Sequence, residues 1–166
     1  MAASPTPTSR DIKKNIEATF TDFIAAYKDG AKQNDPAIIN RNVTADCTRH
    51  LLPTSLLKAL GAPQDFVIDN AEYERLFAVD LQVGGVQEFT ISNLVIDAED
   101  RKAAATTLAK MVFKNGEELV MEHSWFVDFT EDGTKVKKVV EFCDGESVHK
   151  LMAEVKKTET DGKGAE

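Results

Sequence analysis

The sequence predicts an α+β domain: N-terminal helices packed on one side of a strongly curved antiparallel β-sheet. Apolar residues recur at helical spacing through the first half of the chain, then change to a two-residue period after Gly84-Gly85. The second half is cut into strand-length pieces by three turn signals, Asp97-Ala-Glu-Asp100, Lys114-Asn-Gly116 and Glu131-Asp-Gly133. Helices first and a meander of strands afterwards is the arrangement of an α+β domain. At 166 residues the chain is one domain by size and can bury a full core.

Taken in order, residues 1–9 are rich in Pro, Ser and Thr and are expected to form a disordered tail before a single domain of residues 10–155; residues 156–166 form a second tail. Ser9 can cap a first helix whose apolar positions Ile12, Ile16, Phe20, Phe23, Ile24 and Tyr27 share a face, with Gly30 near its end. Asp35-Pro36 restarts a short helix carrying Ile38 and Ile39 inward. The β-branched segment Val43 to Pro53 reads as extended, and brings in Asp46, Arg49 and His50. Thr54-Ser55 can cap a helix stopped by Gly61, and another starts at Asp69 or Asn70 and passes Tyr73, Leu76 and Phe77. Strands follow at Phe89–Asp97, Arg101–Phe113, Leu119–Phe129 and Val136–Phe142, with a last helix from Val148 to Val155.

Alternation along the third of these strands sets the faces. Leu119, Met121, His123, Trp125, Val127 and Phe129 point one way, and His123 is the only polar residue among them. If Glu131-Asp132-Gly133 is a three-residue loop, Thr130 faces Thr134, Trp125 faces Val139, Met121 faces Cys143 and His123 faces Glu141. That would set an imidazole and a carboxylate side by side in the core, at about 5 Å between Cβ atoms. The Lys114-Asn115-Gly116 turn, read in the same form, pairs Thr107 with His123 and Ala109 with Met121. A two-residue turn would shift this by one and bury Lys110. The inner face then carries Ala103, Ala105, Thr107 and Ala109, small side chains that leave either close packing or an empty space. An empty space bounded by Trp125, Phe20, Phe23 and Tyr27, with His123 and Glu141 at its floor, would be a small-molecule pocket.

Composition narrows the function. A net charge of −8 argues against nucleic acid, whose phosphates need a basic face. Two cysteines, Cys47 and Cys143, without CxxC spacing make neither a metal site nor a disulfide framework. The start lacks a basic and apolar leader, and no apolar run approaches the roughly 20 residues of a membrane helix. A cytoplasmic protein is expected.

The order of elements, the aromatic first helix, and the hairpin of aromatic strand, acidic-Gly turn and Lys-rich strand ending Val-Val-Glu141-Phe-Cys-Asp144 resemble the NTF2-like superfamily, in its SnoaL-like, ketosteroid-isomerase-like and scytalone-dehydratase-like branches. The resemblance spans roughly Ile12 to Asp144 and implies a cone-shaped sheet around a hydrophobic cavity. It implies an inward acid at Glu141, a pocket-lining His123, a hydrogen-bonding tyrosine at Tyr27, His50 at the cavity mouth and Trp125 as an apolar wall. The epoxide-hydrolase branch sets an arginine and an acid where this chain has Ala103 to Phe113, so that activity is not implied.

Two functions fit. One is a cofactor-independent cyclase, isomerase or dehydratase acting on an apolar carbonyl-bearing molecule, with His123 as base, Glu141 orienting it and Tyr27 or His50 binding the oxyanion. Phe20, Phe23, Trp125, Thr107 and Met121 would line its substrate site. The other is a non-catalytic ligand-binding or interaction module. The opposite sheet face, with Val120, Ser124, Phe126, Val140 and Phe142, is apolar enough to be covered, by a second copy in a homodimer or by the terminal helix.

Overall fold

The computed structural model describes residues 8–163. Its first helix, α1 (Ser9–Gln33), is capped by Thr8 rather than Ser9. Thr8 Oγ1 accepts from the Asp11 amide at 3.2 Å, and the Asp11 carboxylate accepts from the Thr8 amide at 3.1 Å. This reciprocal box needs an acid three residues after the cap, which only Thr8 has. Of the expected tail, residues 1–7 fall outside the described chain. The inward stripe Ile12, Ile16, Phe20, Phe23 and Ile24 is buried as expected. Asn34, at φ 51°, ends α1.

A short 3-10 helix, Pro36–Asn40, follows with Asp35 as its cap. Strand β1 (Val43–Leu52), α2 (Thr54–Ala59) and α3 (Asn70–Val83) complete the first half. Pro53, not Thr54 or Ser55, occupies the cap of α2 and makes no side-chain bond there. Asp69 caps α3 through the Glu72 amide at 2.8 Å. A Cβ on Gly30 would sit 2.7 Å from the Phe77 ring, so glycine there lets α1 and α3 close on each other.

Strands β2 (Gly84–Asp97), β3 (Lys102–Phe113), β4 (Glu118–Phe129) and β5 (Val136–Cys143) form the antiparallel meander. β2 starts earlier than the sequence reading, directly after α3. β1 adds to β5 in parallel, giving the order β1-β5-β4-β3-β2 in one curled sheet that does not close. The sequence marked β1 as extended but held no sign of its partner, because parallel pairing is set by tertiary contact and not by a turn.

The β3–β4 register is the expected one, with Thr107 opposite His123 and Ala109 opposite Met121. Lys110 stays on the outer side, 2.8 Å from Glu118. The β4–β5 register differs by two: Trp125 pairs with Glu141 and His123 with Cys143. The connection is longer than three residues, because Thr130 pairs with Lys135 and a bulge follows at Phe129. Asp132 accepts from the hydroxyls of Thr130 and Thr134 at 2.7 and 2.8 Å, which closes the wider loop. A slip of two leaves every side chain on its original face.

Helix α4 (Gly145–Lys163) continues well beyond Val155, through the stretch read as a tail. Thr158 and Thr160 return hydrogen bonds to helical carbonyls, and Lys157 pairs with Glu154, so polar residues extend the helix without burial. Leu151 and Val155 join Val83, Met111, Leu119 and Met121 in a cluster at one end of the sheet. None of the helices among the described residues is long and apolar enough to cross a membrane.

Candidate active site

Adjacent strands bring His123 and Glu141 together on the inner face, diagonally rather than directly opposite. His123 Nε2 lies 3.5 Å from Glu141 Oε1, with both side chains only 9% exposed. The other carboxylate oxygen, Oε2, accepts from the Tyr73 hydroxyl at 3.3 Å. The Tyr73 oxygen in turn lies 2.5 Å from that of Tyr27. With Tyr73 donating to Glu141, Tyr27 donates to Tyr73, and a chain of hydroxyls runs from α1 through α3 to the carboxylate. On the other side, a proton on Nε2, the nitrogen nearer Glu141, would leave Nδ1 as the free nitrogen of the imidazole. Nδ1 is buried and has no hydrogen-bond partner among the described residues.

Aromatic rings fix these groups. The His123 ring is 5.5 Å from Trp125 and 6.4 Å from Phe89. Trp125 itself is held by its indole N–H, which donates to Thr107 Oγ1 at 2.7 Å, and by Phe23 standing edge-on at 6.0 Å. Tyr27 packs against Phe89 at 5.5 Å and Trp125 at 6.0 Å. Burial and the nearby Glu141 charge push the hydroxyls of Tyr27 and Tyr73 well above the usual phenol range, so both stay protonated as donors.

Close packing, not empty space, fills the region beneath α1: Phe20, Phe23 and Trp125 are all 1% exposed or less. Tyr27, Tyr73, Asp80 and Phe89 keep partial exposure although they face inward. A groove of about 530 Å³ touches His123, Thr107 and Cys143 but is lined largely by residues of the outer sheet face, Thr106, Leu108, Glu122, Ser124 and Phe142. Phe20 belongs to the core cluster around Trp125, and Met121 to the cluster at the α4 end.

His50 does not join this group. It pairs with Val140 on the outer side of the sheet, and its Nε2 lies 3.3 Å from Thr48 Oγ1. Burial, and then Lys138, hold its pKa below the usual histidine value. Alternation along β1 sends the neighbouring Arg49 inward instead. Arg49 is 1% exposed, donates to Asn70 Oδ1 at 2.8 Å and Asn40 Oδ1 at 3.0 Å, and sits 4.3 Å over the Tyr73 ring.

Sequence reasoning passed over three residues here: Tyr73, taken only as a core residue, Arg49 and Asp80. Asp80 shares the inner stripe of α3 with Tyr73 and Phe77, and a charged residue on a buried stripe was the available signal. Burial first, and then the charge of Glu141, raise its pKa to about 7.

A curled open sheet packed against an aromatic first helix is the NTF2-like fold, and solved structures match it over 80–92% of the chain. BvnE, a pinacolase from Penicillium brevicompactum, superposes with a TM-score of 0.69 at 17% identity, covering 92% of this chain and 97% of its own. PrhC from Penicillium brasilianum gives 0.69 at 16% identity, covering 89% and 92%. An NTF2-like protein of Cytophaga hutchinsonii gives 0.51 at 9% identity, covering 80% and 99%. No family model and no curated protein sequence matches the chain.

Proposed function

We propose that this protein binds an apolar, carbonyl-bearing small molecule and moves a proton on it without a cofactor, as a cyclase, isomerase or dehydratase. The carrying observation is the His123 ring, with Nε2 against Glu141 and Nδ1 buried but unpartnered. A buried nitrogen without a partner is costly unless a ligand completes it. Nδ1 takes a proton from carbon next to the carbonyl, and Glu141 stabilises the imidazolium that forms. Tyr27, at the free end of the hydroxyl chain, exchanges its bond to Tyr73 for one to the developing oxyanion. A well-placed donor of this kind contributes about 3–4 kcal/mol to the transition state. That BvnE is a pinacolase supports reading the cone as a reaction chamber.

The proposal includes a homodimer formed through the outer sheet face, where Val120, Phe126 and Phe142 are 49%, 54% and 46% exposed. Two free, buried cysteines fit a reducing compartment such as the cytoplasm.

The test is His123→Ala. Incubated with a panel of apolar ketones and β-hydroxyketones, wild type should exchange the proton next to the carbonyl for deuterium from D2O, and the folded variant should not. An unfolded variant, with any wild-type exchange surviving in His123→Gln, would make the pair structural. A carrier would bind the ketones and return them without deuterium.

A further inference from the structure

Arg49 is a cation buried to 1% exposure that the scheme above leaves idle. Its acceptors among the described residues are neutral: Asn70 Oδ1 at 2.8 Å, Asn40 Oδ1 at 3.0 Å and the Ile39 carbonyl at 3.5 Å, while Nε has no partner. Glu74 reaches this cluster through the Asn40 amide, at 3.0 Å. A buried charge held by neutral acceptors is costly unless an opposite charge stands near. Glu141 is placed to be that charge. In the parallel β1–β5 pair Arg49 lies beside Val139 and Leu51 beside Glu141, so Arg49 and Glu141 share the inner face one diagonal step apart. Tyr73 links them, with its ring 4.3 Å from the guanidinium carbon and its hydroxyl 3.3 Å from Glu141 Oε2.

Arg49 is also tied to the start of α3 at three points. Its amide and carbonyl exchange 2.9 Å bonds with Ile68, its guanidinium donates to Asn70, and its plane covers Tyr73 about one helical turn on. Asn70 returns bonds to the Thr44 and Ala45 carbonyls of β1. We propose that Arg49 is the positioning residue of this site: it holds the Tyr73 hydroxyl on Glu141 and, with its charge, keeps Glu141 from locking a proton onto His123. The inference rests on the acid/base reading above. A bare buried carboxylate 3.5 Å from an imidazole favours the imidazolium, whose Nδ1 carries a proton and is no base. A second positive charge beyond the tyrosine opposes this, and Nδ1 keeps its lone pair. The charge of Arg49 is felt at the hydroxyls of Tyr27 and Tyr73, where it works against the rise that burial and Glu141 cause.

The ionisable groups that face His123 are Glu141 and Cys143 on β5, Tyr27 on α1, Tyr73 on α3 and Arg49 on β1. The two tyrosines and Cys143, whose thiol burial pushes far up, do not titrate near neutrality. Asp80 stands further along α3, where burial and then the charge of Glu141 raise its pKa to about 7. A test must therefore separate His123 from Asp80.

The single tryptophan reads the imidazole, because the Trp125 ring is 5.5 Å from it and an imidazolium quenches indole fluorescence. Wild type should dim in one step as the pH falls. In Arg49→Met, of similar length but uncharged, the step should move to higher pH by about one unit, the effect of a buried charge roughly 10 Å away. Arg49→Lys restores the charge without the planar fork and should bring the step most of the way back. Tyr73→Phe should shift it in the same direction as Arg49→Met, and the double variant by less than the sum of the two. In His123→Gln the step should vanish, which separates it from Asp80. A step that persists there, or its absence from wild type, means that His123 does not titrate, and both readings fall. Equal midpoints in wild type and folded Arg49→Met overturn the inference and leave His123 as the base. Should Arg49→Met fail to fold, an unmoved midpoint in Tyr73→Phe overturns it equally. A wild type that leads to these shifts but exchanges no ketone proton for deuterium sinks the acid/base reading and upholds the role of Arg49.

Discussion

Among the described residues Glu141 has a tyrosine O–H and an imidazole beside it, whereas burial and the charge of Glu141 act on Asp80. The difference has a sign in solution. A carboxyl whose folded pKa stands near 7, against an ordinary 3.8, holds a proton in the folded state that the unfolded chain has released. Its burial is therefore free of penalty below about pH 4, and stability falls as pH rises toward 7. Asp80→Asn removes that loss. Thermal melts should show variant and wild type together at pH 4 and the variant ahead at pH 8, by roughly 2–4 °C for each kcal/mol of relieved strain. Parallel curves across that range would mean that Asp80 is solvated. Thr107 makes a second residue-scale test. Its hydroxyl is the only partner of the Trp125 indole N–H among the described residues, and both residues are at most 3% exposed. Thr107→Val keeps the volume and strands the donor, which should cost about 1–3 kcal/mol in urea denaturation.

At the scale of elements, the β4–β5 hairpin explains both what the sequence revealed and what it hid. Alternation along Leu119–Phe129 put His123 and Trp125 on the inner face, and that is where they stand. The pairing was misread by two because the Glu131-Asp132-Gly133 signal describes the turn in isolation, whereas the real loop is docked on α1. Asn15 Nδ2 donates to the Asp132 carbonyl at 2.7 Å and Thr19 Oγ1 to the Gly133 carbonyl at 2.8 Å. Contacts more than a hundred residues away in sequence leave no local trace. The same holds for β1, whose parallel partner sent Arg49 inward and His50 outward, and for α3, which delivered Tyr73 to Glu141. Gly133 is where the docking can be tested. It has φ 73°, and a Cβ would lie 2.9 Å from Ile16 Cγ1 and 3.1 Å from the Ile12 carbonyl. Gly133→Ala should lower stability by about 1–3 kcal/mol, through left-handed strain and the lost fit against α1. A denaturant midpoint equal to that of wild type would show that the loop floats free of the helix.

For the whole molecule, the outer face of the sheet is where the proposed homodimer would form. The terminal helix was one candidate to cover it, but α4 packs on the α3 side, where Val155 is buried with Met121 and Leu119. Leu108, Val120, Phe126 and Phe142 are left 42–54% exposed on strands that lie side by side. Stable interfaces remove about 800 Å² from each partner and set aromatic residues at their centre. A second copy related by a twofold axis would bring the same patch against itself, so a charge added at one position is added twice. Phe126→Glu should therefore convert a dimer to a monomer in sedimentation velocity at micromolar concentration. Because Phe126 and Trp125 point to opposite faces, the monomer should keep its melting temperature to within a few degrees. Wild type sedimenting as a monomer would leave the patch without a self-partner, and a dimeric variant would place the interface elsewhere on the surface.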